Sequence, residues 1–176
     1  MLDLIIKNGD CFISGKLQKK DIGVLNGKIT QIEDSIKDKS KDVLEANKLI
    51  VLPGCIDTQV HFREPGHPDK EDLESGSRSA VLGGVTSVFE MPNTSPPTDT
   101  VENFKDKLNR ANNRMFCNYA FYFGATEKNL NNLEVINTLD GCCGVKMFVG
   151  SSTGELLIKN DKYIEQVIKN SPKIVA

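Results

Sequence analysis

The stretch "GCIDTQVHFREPG", Gly54 to Gly66, holds one of the two histidines in the chain. Strand side chains alternate faces, so Asp57, Gln59, His61 and Arg63 share one side of "DTQVHFR", and Thr58, Val60 and Phe62 take the other. A polar set on one face and an apolar set on the other suits a strand lining a barrel, with helices packed outside. A lone histidine is more often structural than a ligand. Here it stands beside an acid and an arginine near a strand's C-terminal end, where barrel active sites lie. Its imidazole is a ready metal ligand. Gln59 sits where a second such ligand could have stood.

Two further segments carry chemistry. In "EMPNTSPPT", Asn93 opens a Pro-rich loop after a strand; it is either part of a rigid turn or a polar reader at a barrel mouth. In "CCGVKMFVGSSTGEL", Lys146 interrupts a strongly apolar strand, sharing a face with Phe148 while Val145, Met147 and Val149 take the other. A buried lysine cannot remain charged without a partner. It can pair with Asp57 or Glu90, or its neutral amine can add carbon dioxide and present a carbamate to two metal ions. His67 follows turn formers and belongs in a loop rather than a metal site.

The elements that must position these residues fall into two segments. Residues 1–52 read as all-β, with turn pairs Asn8-Gly9, Ser14-Gly15 and Asn26-Gly27 between short β-branched runs. Residues 53–176 alternate strand and helix: "GCIDTQVHF", "KEDLESGSRSAVLGG", "VTSVFEMP", "TDTVENFKDKLNRANNR", "MFCNYAFYFGA", "NLNNLEVINTL", "CCGVKMFVG", "DKYIEQVIKNS" and "KIVA". The long second helix is expected to start from Thr98 or Asp99 and to bury Val101, Phe104 and Leu108. Such alternation makes a parallel sheet covered by helices. No GxGxxG turn follows the first strand, which removes support for dinucleotide binding. A barrel takes about 250 residues, and the βα part here is about half that.

With 22 Lys and Arg against 24 Asp and Glu, the chain has no electrostatic footprint for nucleic acid or an anionic membrane. The apolar run at the N-terminus is too short for a span and has no basic region before it. Five cysteines without CxxC spacing point to reduced, mostly buried thiols and a cytoplasmic protein.

Together, "LIIKNGD", "DIGVLNGKITQIED", "PGCIDTQVHFREPG", "EMPNT" and "GVKMFVGSSTG" resemble the long, class I type of dihydroorotase in the amidohydrolase superfamily. The resemblance implies an α/β fold: the first half of a (β/α)8 TIM barrel, strands 1–5, preceded by a small β-sandwich segment. It implies reversible hydrolysis of dihydroorotate to N-carbamoyl-aspartate in pyrimidine biosynthesis, with one or two zinc ions. By resemblance His61 and Lys146 are metal ligands, Lys146 as a carboxylated bridge, and Arg63 and Asn93 hold the substrate carboxylate. An arginine fork suits that task. Arg63 also distinguishes this pattern from hydantoinases and allantoinases, the neighbouring cyclic amidohydrolases.

Two departures shape the expectation. Gln59 replaces the motif's first His, and an amide oxygen is a poor zinc ligand. The family's later His ligands and its general-base Asp are not in this sequence, so no catalytic base is assigned within it. The chain is expected to be the first part of a longer, homo-oligomeric enzyme and to be inactive as a fragment. The rival readings are a non-catalytic homologue that scaffolds aspartate transcarbamoylase, a hydantoinase- or allantoinase-type cyclic amidohydrolase, or a fragment without function.

Overall fold

A computed structural model of the protein describes residues 1–150 and 156–176. It divides into two compact units, Met1–Pro53 and Gly54–Ala176.

The strands of the first unit pair as one five-stranded sheet. Strands β1 (Leu2–Ile13), β2 (Lys16–Leu25), β3 (Lys28–Glu33) and β4 (Ser40–Glu45) lie in the order β3-β2-β1-β4, and β5 (Ile50–Val51) also pairs with β1. Ser14-Gly15 and Asn26-Gly27 turn the two hairpins with both residues at positive φ, as the tight primed turns require. Asn8-Gly9 does not make the expected turn. It lies inside β1, where the register with β2 shifts between Ile6 and Gly9, so the pair forms a bulge. A side chain on Gly9 would fall 2.6 Å from Val51 Cγ2, which explains the glycine.

The second unit begins with β6 (Cys55–Val60), α1 (Leu73–Leu82), β7 (Val85–Glu90), α2 (Val101–Ala111) and β8 (Asn118–Gly124). A 3-10 segment over Leu130–Thr138, β9 (Cys142–Lys146) and α3 (Asp161–Asn170) complete it. The four strands are parallel and in sequential order, β6-β7-β8-β9. The C-terminal residues continue the series, with Val175 bridging Val145 in parallel. A doubly wound sheet reverses its strand order at a switch point; this one does not, and its order is that of successive strands of a β/α barrel.

Local signals account for the helices. Asp72 caps α1 by accepting from Ser75 N–H at 2.7 Å, in a reciprocal capping box. Thr100, not Thr98 or Asp99, caps α2, accepting from Asn103 N–H at 3.1 Å. The third expected helix is instead a 3-10 segment interrupted at Asn132. The core gathers Phe62, Leu73, Val88, Phe104, Phe121, Phe123, Val145, Ile158 and Val167 between the helices and one face of the sheet. Phe62 lies so close to Gly76 that a Cβ there would come within 2.4 Å of its ring. On α2 the buried residues are Phe104, Lys107 and Ala111, while Val101 and Leu108 are only half-buried. Cys11, Cys117 and Cys142 are buried, Cys143 is half-buried and Cys55 exposed, all as free thiols.

Candidate active site at the strand ends

Of the residues singled out for chemistry, His61, Arg63 and Asn93 come together where β6 and β7 end. β6 stops at Val60, so His61 and Arg63 leave the strand rather than continuing its alternation. Arg63 turns the chain with φ 62°. Asp57 and Gln59, within the strand, are exposed, and Asp57 accepts from the Gln59 backbone N–H at 2.9 Å. His67 is exposed in the loop, where its N–H donates to Arg63 O at 2.9 Å.

His61 and Asn93 meet. His61 Nδ1 lies 2.9 Å from Asn93 Oδ1. With a carbonyl oxygen facing the ring, the ring nitrogen has to be the donor, which leaves Nε2 with its lone pair. The two loops are also joined by their backbones: Met91 N–H donates to Val60 O at 3.0 Å, and Ser95 N–H to Pro65 O at 3.1 Å. Burial holds the His61 pKa below its ordinary value, followed by the Arg63 charge. Lys146 and Lys107 push the same way more weakly, and the bond to Asn93 opposes them. The imidazole is therefore biased toward the neutral form that a metal ligand needs.

Lys146 ends β9 half-buried, its Nζ 5.2 Å from the Phe148 ring centroid, on the face it was expected to share. It pairs with neither carboxylate foreseen for it. Asp57 is exposed, and Glu90 is taken by Lys107, whose Nζ lies 2.5 Å from Glu90 Oε2. Part of the segment after Lys146, Ser151 to Gly154 of "GVKMFVGSSTG", lies outside the described residues.

Two buried carboxylates brace the site, and sequence reading gave neither this role. Glu64, in "HFREPG", receives Arg114 through two bonds of 2.8 and 3.1 Å and accepts from Leu73 N–H at 3.1 Å. It thereby ties the Arg63 loop to the start of α1 and to the turn after α2. Burial alone would push its carboxyl up, but Arg114 and the Leu73 N–H outweigh that, and its pKa lies below the usual value. Glu90, at the end of β7, is met by Lys107 and the Phe62 backbone N–H, neither of them well aligned. Burial pushes it up to about 7 against the pull of Lys107, while burial drives Lys107 down. The signal for Lys107 was its spacing, three residues after Phe104 and four before Ala111, which puts a lysine on the core face.

Among the described residues no three His, Cys, Asp or Glu side chains converge as a metal site. The donor chemistry fits a metal in part: an imidazole held in one orientation by Asn93, and a lysine close enough for its charge to act on that ring. Gln59, the departure from the motif, adds no imidazole or thiolate.

The second unit is thus a βα series in barrel order that carries an oriented imidazole and an arginine at its strand ends. Residues 50–175 match the amidohydrolase family, and the chain belongs to that family. It is 36% identical over 166 residues to a dihydroorotase of Methanosarcina mazei, covering 94% of this chain and 36% of that protein. It is 35% identical over 162 residues to an allantoinase of Desulfitobacterium hafniense, covering 92% of this chain and 36% of that protein. The L-hydantoinase of Arthrobacter aurescens superposes with a TM-score of 0.91 at 29% identity, over 99% of this chain and 40% of the other. The fold is thus that of the TIM-barrel amidohydrolases, present in part. The chain spans little more than a third of the relatives it matches, and superfamily members are generally metal-dependent. Among the described residues no helix is long and apolar enough to cross a membrane.

Proposed function

We propose that, in a complete barrel, this chain supplies the substrate-carboxylate pocket and the first metal ligands of a dihydroorotase, which opens dihydroorotate to N-carbamoyl-aspartate. The observation that carries the reading is the His61–Asn93 contact beside Arg63. It places a candidate ligand and two candidate carboxylate readers in adjoining loops. Curated dihydroorotases at 34–50% identity support it.

In this reading Arg63 meets the carboxylate of the ring through its planar fork, and Asn93 adds an amide donor while its carbonyl orients His61. His61, through Nε2, and Lys146, as a carbamate, would hold the metal. Zinc, when bound, lowers the pKa of a water and polarises the amide carbonyl. The general base lies outside these residues. The expected setting is cytoplasmic pyrimidine biosynthesis, with a homo-oligomeric enzyme.

The test is metal analysis and dihydroorotate ring opening in the complete reading frame, with Arg63→Met beside the parent. Turnover is expected to fall about 100-fold or more while bound zinc is unchanged, the loss of a charge-assisted pair. Equal loss of both would remove the substrate role from Arg63. Activity on hydantoin or allantoin without dihydroorotate turnover would favour the neighbouring amidohydrolases. Gln59 keeps a second reading in play: an inactive, metal-free complete protein that binds aspartate transcarbamoylase would be a scaffold.

A further inference from the structure

The site as described leaves the Glu90–Lys107 pair without a task. Lys107 is fully buried on α2. Its Nζ donates to Met91 O at 3.1 Å and to Thr98 Oγ1 at 3.3 Å, and touches Glu90 Oε2 at 2.5 Å. Of the ammonium's three donors, two are taken by the loop ends, and its charge faces Glu90. Met91 and Thr98 are the two ends of the loop whose middle carries Asn93. The loop is drawn closed by Thr98 N–H and Thr94 N–H, both donating to Pro92 O at 2.9 Å, and is anchored to β8 by Gly124 N–H donating to Thr98 O at 2.8 Å.

We propose that Lys107 is a positioning residue: by clamping Met91 and Thr98 it holds Asn93 Oδ1 against His61 Nδ1 and so sets which ring nitrogen carries the proton. Glu90 is the counter-charge that makes the buried amine tolerable. With the clamp in place, Nδ1 keeps its hydrogen and Nε2 keeps a lone pair. With the clamp gone, Asn93 drifts and the ring returns toward its free mixture of tautomers. The bearing of Lys107 on catalysis rests on the functional reading above; its hold on the loop does not.

The chain has two histidines, and the second, His67, is exposed, so nitrogen-15 labelling of histidine reports on His61 with an internal reference. Spectra are taken at pH about 8, above the ordinary histidine range. Glu90→Gln combined with Lys107→Met removes both charges and the clamp while keeping side-chain volume. The expected result is a cooperatively folded protein in which the His61 tautomer ratio shifts about fivefold away from Nδ1–H, the loss of one net hydrogen bond, with His67 unchanged. A folded double variant with His61 unaltered would overturn the proposal. If the double variant does not fold, Thr98→Val decides, because it removes one arm of the clamp and no charge. A shift of about two- to threefold in the same direction is then expected, and an unchanged ring overturns the clamp. Glu90→Gln alone should leave the tautomer in place; its loss there would assign the effect to the Glu90 charge instead of Lys107. The readout needs no metal, substrate or turnover, so its outcome is separate from that of the dihydroorotase assay.

Discussion

Glu64 and Glu90 make a natural pair for comparison. Each follows or ends a strand of the second unit, each braces one site loop, and each is met by a cation from α2 or the turn after it. Their titration is displaced in opposite directions. Glu64 keeps 10% of its side chain exposed and its Arg114 partner 35%; it also receives two aligned Arg114 bonds and a backbone N–H. Glu90 and Lys107 are exposed by 1% and 0%. Charge is stabilised where solvent and directed donors remain, and penalised where a few poorly aligned contacts must replace all of the water. The difference teaches that an ion pair's geometry alone does not tell whether it favours the charged state.

Breaking each pair should expose that difference. Lys107→Met leaves Glu90 buried with no counter-charge, and at pH well above 7, where the carboxyl would have to ionise or hold its proton against solution, the cost is expected at about 3–5 kcal/mol, read from urea unfolding. Arg114→Met leaves Glu64 access to solvent and the Leu73 N–H, so a cost of about 1–2 kcal/mol is expected in the same assay. Equal costs would mean that solvent does not distinguish the two sites. Thr98→Val, which removes the hydroxyl's bonds with Lys107 and Thr94, should cost about 1–2 kcal/mol.

The pH dependence of stability sharpens the contrast, because the two signs are opposite. The Glu90 pKa is raised in the fold from 4.5 to about 7. Its contribution is present below the unfolded value and is lost as pH rises through about 7. Glu64 is depressed, so its contribution is present above its unfolded value, 4.5, and is lost as pH falls through the folded one. Unfolding free energies of Glu90→Gln should therefore lack a decline between pH 4.5 and about 7 that the parent shows. Those of Glu64→Gln should lack a decline toward acid below pH 4.5. Parallel curves for parent and Glu90→Gln would remove the unusual titration from Glu90.

Much of this was legible from residue order. The tight turns at Ser14-Gly15 and Asn26-Gly27 form where glycine and asparagine permit positive φ, because turn chemistry is local. The parallel βα series follows from periodicity, and "VHFREPG" with "EMPNT" was enough to name the loops that meet. Other expectations failed for nonlocal reasons. Asn8-Gly9 has the composition of a hairpin, yet β1 runs through it because β2 and β4 pair on both sides of the strand. Thr98 looked like a helix cap, but the helix begins two residues later and Thr98 serves Lys107. Lys146 was offered Asp57 or Glu90 as a partner; α2 places another lysine against Glu90.

The sequence by itself determined the element order, the family, and the residue types that could read a carboxylate and hold a metal, since these rest on periodicity, turns and short motifs. Only the tertiary structure decided which charges share a buried site. His61 faces Asn93 across 32 positions, and Arg114 reaches Glu64 across 50. Contacts at such separations depend on how strands and helices pack, and burial then sets the sign of each carboxyl's shift, a quantity that no residue carries in its identity.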